Sequence, residues 1–118
     1  MSLVRIAVAA IAASAALTAH AQGNPDAGKG KIFQCQGCHG IPGWKTAFPE
    51  VYSVPKLGGQ RASYIISALK AYKSGERDFA TMRAVVSDLS EQDMADIGAY
   101  YERGEGNTTH ATTGEKKK

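Results

Sequence analysis

Two thiols and an imidazole stand within five residues, Cys35-Gln36-Gly37-Cys38-His39. Each thiol can add across a vinyl group of a porphyrin to form a thioether. The two intervening residues let both sulfurs reach adjacent pyrrole edges. The next residue, His39, is then carried under the iron and can ligate it through a ring nitrogen, and C-x-x-C-H is the attachment signature of c-type haem. The chain has only these two cysteines. A disulfide between them would close a loop too small to stabilise much. A thioredoxin-like redox pair needs a βαβ setting, and no strand alternation is visible. A structural zinc ion mostly takes four ligands. Beyond Cys35, Cys38 and His39, the exported part offers only His110, in a polar tail.

An iron held by one histidine takes a sixth ligand or keeps an open position. The available donors are Met82, Met94 and His110. Met94 falls on the apolar stripe of a helix and His110 in the tail. Met82 stands among polar residues in a segment read as loop, which favours it as the distal ligand.

The elements that must position these groups read as helices. Asn24-Pro25-Asp26 has the N-cap, first-position proline and early acid of a helix start, and a helix is expected from Pro25 to about Gln34. It contains Gly28 and Gly30, each unfavourable by about 1 kcal/mol relative to alanine, as befits close approach by another backbone. Residues 40–59 hold Pro42, Pro49 and Pro55 with several glycines, and read as a structured loop. Long loops of this kind usually serve a function, here wrapping a large flat cofactor. Arg61 to Ser74 carries Ile65, Leu69 and Tyr72 on one face, with Gly75 to end it. A second loop is expected from Gly75 to about Leu89. Ser90 and Asp93 form a capping-box variant, with Leu89 and Met94 at the staple positions. Met94, Ile97 and Tyr101 make the last helix's stripe, and Gly104 ends it.

At the N-terminus, an uncharged apolar run from Ile6 precedes Ala19-His20-Ala21, a small–any–small site for signal peptidase. The run is too short to span a bilayer. A cleaved signal peptide is expected over 1–21, a domain over 22–103 and a disordered polar tail over 104–118, with no membrane span after cleavage. The whole chain has 14 basic and 11 acidic residues. Residues 22–114 balance at ten of each, so nothing supports nucleic-acid binding.

With these residues set out, the chain resembles the bacterial class I c-type cytochromes, in particular a small monohaem type similar to one half of the dihaem cytochromes c. The resemblance rests on Cys35-Gln36-Gly37-Cys38-His39-Gly40 and Val54-Pro55-Lys56-Leu57-Gly58-Gly59-Gln60. It continues through Tyr72-Lys73-Ser74-Gly75-Glu76-Arg77, Met82, and Leu89-Ser90-Glu91-Gln92-Asp93 leading to Ala99-Tyr100-Tyr101. It implies an all-α cytochrome c fold, about three main helices wrapped around one covalently attached haem c. It implies His39 as proximal and Met82 as distal iron ligand. It also implies that first and last helices cross at Gly28, against Tyr100 or Tyr101. A proline carbonyl accepts a hydrogen bond from the proximal histidine in that family. Pro55 is the better match, with Pro49 the alternative in a first loop longer than usual. Leu57, Leu69, Tyr72 and Val85 are expected to bury the haem.

The function implied is that of a periplasmic, monomeric one-electron carrier, not an enzyme, serving redox partner proteins that the sequence does not name. Two other classes stand beside it. One is an electron-transfer subunit of a larger respiratory or dehydrogenase complex, and the other a ligand-binding haem protein with an open distal site.

Overall fold

The computed structural model describes residues 22–48 and 50–106. The expected leader, Pro49, His110 and the tail beyond residue 106 lie outside the described residues. Among the described residues five helices follow one another: α1 (Pro25–Lys29), α2 (Phe33–His39), α3 (Ala62–Ser74), α4 (Ala80–Val86) and α5 (Glu91–Glu102). The fold is that expected, but it contains more helices than the three read from the sequence.

The first expected helix is two. Asn24 caps α1 by accepting from the Asp26 and Ala27 amides, with Pro25 in the first turn. The helix then stops at Gly30, whose amide bonds back to Ala27 and Gly28. The break turns Ile32 into the core, where it is only 1% exposed. The backbone re-enters helix at Phe33, and the whole Cys35–His39 motif lies on α2.

Residues Ile65 and Leu69 of α3 are buried, and Gly75 closes it in the left-handed conformation (φ 85°). The segment read as a second loop contains α4, whose Val86 is fully buried. The capping box of α5 is complete, with Ser90 and Asp93 each bonded to the other's backbone. Leu89 packs on the core to which buried Met94 belongs. Helix α5 is the hub: α1 and α3 both pack along it, and α4 packs on α3. Among the described residues the only strand-like feature is an antiparallel bridge between Lys45 and Ser53. Flanking it are bonds from Thr46 N to Tyr52 O and from Val54 N to Trp44 O, both 2.9 Å. The first long loop therefore folds back on itself as a short arm.

The α1–α5 crossing is very close. A β-carbon on Gly28 would overlap the Asp96 carbonyl oxygen and lie 2.9 Å from Tyr100 Cβ. Tyr100, not Tyr101, is the aromatic opposite. Next to the crossing, Lys31 Nζ lies 2.7 Å from Asp93 and 2.6 Å from Asp96. Asp96 is buried, and it also accepts from the Asn24 amide at 2.7 Å and from Gln92. The Lys31 ammonium holds both carboxyls below the usual aspartate range, and the hydrogen bond to Asp93 leads in raising Lys31. Depressed carboxyls contribute stability that is present above an unfolded pKa of about 4 and lost as pH falls below it. The raised lysine contributes below about 10.4 and loses its share above that. Stability should therefore plateau between those limits and fall on both sides. Asp96→Ala, which strands the Asn24 amide, should cost about 2 kcal/mol at pH 7 and flatten the acid limb. Urea unfolding of both proteins at pH 7 and pH 3 checks this.

Candidate functional site

One turn of α2 places Cys35 and Cys38 three residues apart, on one face. Cys35 packs against the core, and burial pushes its thiol up from the ordinary value. Both cysteines are half-buried. His39 is the last residue of the helix. Its Nδ1 lies 2.7 Å from the carbonyl oxygen of Pro55. That oxygen can only accept, so Nδ1 carries the proton and Nε2 keeps its lone pair for a metal.

Pro55 is itself held in place from both sides. Upstream, the Lys45–Ser53 bridge folds the first loop back on itself. Downstream, Gly59 N donates to the carbonyl of Tyr101 on α5 at 2.7 Å. Leu57, between these two points, rests on the core.

Met82 lies in the first turn of α4, half-buried against the same core. Met94, by contrast, is 2% exposed inside it. Cys35, Leu57, Tyr72, Met82 and Leu89 form the partly exposed margin of the core. Leu69 is inside the core proper and Val85 is half-buried. Arg77 lies 5.5 Å from the Tyr72 ring and 5.8 Å from the Tyr64 ring, a cation–π bracket over that margin.

Three contributors were not legible in the sequence. Tyr52 and Phe79 meet edge to face, with centroids 5.4 Å apart. This contact joins the arm that leads to Pro55 to the residue preceding α4. Tyr101 Oη is buried without a hydrogen-bond partner, in the core against which Cys35 packs. Nothing in residue spacing signals either contact, because each joins segments far apart in the chain.

The donor set suits a macrocycle. Among the described residues no three of His, Cys, Asp and Glu gather to hold a bare ion. Two thiols on one helical turn, a tautomerically fixed imidazole beside them and a half-exposed apolar margin match a flat, apolar ring that brings its own nitrogen ligands.

Residues 25–102 match the family model for cytochrome c. The chain belongs to the cytochrome c family, whose cofactor is covalent haem c. Cytochrome c-554(548) of Halomonas halodenitrificans is 43% identical over 82 residues, covering 67% of this chain and 94% of that one. Cytochrome c4 of Pseudomonas aeruginosa is 39% identical over 83 residues, covering 70% of this chain but 39% of that protein. The solved structure of Acidithiobacillus ferrooxidans cytochrome c4 superimposes with a TM-score of 0.55 at 27% identity, covering 70% of this chain and 50% of the other. The chain thus spans half or less of the length of these cytochrome c4 relatives.

Proposed function

We propose that the chain is a one-electron carrier, with haem attached through Cys35 and Cys38 and its iron bound by His39 and Met82. The observation that carries this is the C-x-x-C-H turn whose histidine is already bonded, through Nδ1, to Pro55. The haem, when bound, supplies a reversible Fe(III)/Fe(II) couple. The two thiols fix its position and prevent its loss. The Pro55 carbonyl holds the His39 ring in one orientation and strengthens Nε2 as a donor. Met82 offers a soft thioether, a ligand that favours the ferrous form. Leu57, Tyr72 and Leu89 keep water from the ring, which disfavours the more highly charged ferric form.

His39 and Met82 would both be committed to the iron, which would leave no site for a substrate on the metal and supports a carrier rather than an enzyme. It passes electrons between redox partner proteins as a monomer. Ala19-His20-Ala21 at the end of an apolar leader supports export and a periplasmic location.

The test is carbon monoxide. The reduced protein at neutral pH should show no spectral change under carbon monoxide. Rapid formation of an adduct would instead assign the chain to ligand-binding haem proteins.

A further inference from the structure

The cytochrome reading leaves one buried polar group unexplained, the hydroxyl of Tyr101. The residue is 1% exposed, and its Oη finds no partner among protein atoms. Such a group costs desolvation free energy that a hydrogen bond must offset. The side chain cannot swing out to water. Its backbone carbonyl accepts from Gly59 N at 2.7 Å and Gly104 N at 3.0 Å, and its ring packs edge to face on Tyr100 at 5.3 Å. Cys35 packs against the same buried core that holds Tyr101, and its sulfur is the side chain to which the hydroxyl is electrostatically coupled.

We propose that Tyr101 is a positioning residue for the haem attachment, donating its hydroxyl proton to the Cys35 sulfur once that sulfur is a thioether. This rests on attachment at Cys35. A thiol is a weak donor and weak acceptor that can rotate away, whereas a thioether is fixed by two covalent bonds and has only lone pairs to offer. The bond therefore belongs to the holoprotein. It would hold the first thioether against α5, and would aim the positive end of the O–H dipole at the edge of the ring. A positive potential there favours the reduced iron. Tyr101 thereby tunes the couple without touching the metal.

The experiment compares holoprotein carrying Tyr101→Phe with wild type and with Tyr100→Phe. Haem content is first measured after denaturation. Haem that washes out of wild-type protein would defeat the attachment itself and this inference with it. With covalent haem in all three, Tyr101→Phe should lower both the midpoint potential and the melting temperature, and Tyr100→Phe should leave the potential unchanged. In reduced wild-type protein, NMR should show a slowly exchanging Tyr101 hydroxyl proton close to the Cys35 β-protons. An unchanged potential in Tyr101→Phe, with an equal or higher melting temperature, would mean that the hydroxyl is simply unsatisfied. That result overturns the proposal while leaving the attachment intact.

Discussion

Gly28→Ala is expected to destabilise the protein by about 3 kcal/mol, although on an exposed helix the same change would stabilise by about 1 kcal/mol. The reason is what the new methyl would meet. It would overlap the Asp96 carbonyl oxygen and approach the Asp96 carbonyl carbon to 2.7 Å. No rotamer relieves a clash with backbone, so α1 and α5 must separate. Separation also disturbs Ile32, which is seated in the core just beyond the crossing, and the Lys31 pairs with Asp93 and Asp96. Gly30 is the internal control. It lies two residues along in ordinary αR geometry (φ −72°), and its nearest neighbour to an added Cβ is 3.5 Å away. Gly30→Ala should be neutral or slightly stabilising. Urea unfolding of the two holoproteins measures the contrast, and equal stability in both would mean that the helices do not cross at Gly28.

Features written in short stretches of sequence were readable before the structure. The C-x-x-C-H turn, the Asn24 and Ser90 caps and the Gly75 stop each place all their partners within a few residues. Features that depend on distant partners were not. Asp96 looks like an ordinary solvent-facing acid in a helix. It is buried because Lys31, 65 residues away, and the Asn24 amide meet it at the crossing. The sequence of α4 reads as loop because Phe79, the residue before it, makes no side-chain cap and its first turn holds no acid. At seven residues it is also too short to show periodicity. It is stabilised by tertiary packing instead, through Val86 in the core and Phe79 on Tyr52. The break after α1 is not marked in the sequence, because a single glycine is tolerated within many helices. Only the need to bury Ile32 decides that this one ends the helix.

Met82→His should keep the haem covalently attached and lower the midpoint potential by on the order of 0.1 V or more, within the roughly 0.8 V span that axial ligands control. On the proposed reading Met82 is the methionine that serves. Met94 is 2% exposed in the core, where Ile97, Tyr100 and Tyr101 are also buried. Withdrawing it to bind iron would open a cavity at the α5 hub, whereas Met82 stands at the core's half-exposed margin on a short helix. A seven-residue helix held by Val86 and Phe79 can also shift slightly to accept a different side chain at residue 82. A histidine there replaces a soft thioether with a stronger nitrogen donor. That donor stabilises the ferric state, so the potential falls. Attachment depends on Cys35 and Cys38, on a different helix, and should survive. Potentiometry and the near-infrared spectrum read the two effects separately. The methionine–iron charge-transfer band of the wild type should vanish in Met82→His and persist in Met94→Leu. An unchanged potential in Met82→His, with the band lost instead in Met94→Leu, would transfer the ligand role to Met94 and require α5 to rearrange around the haem.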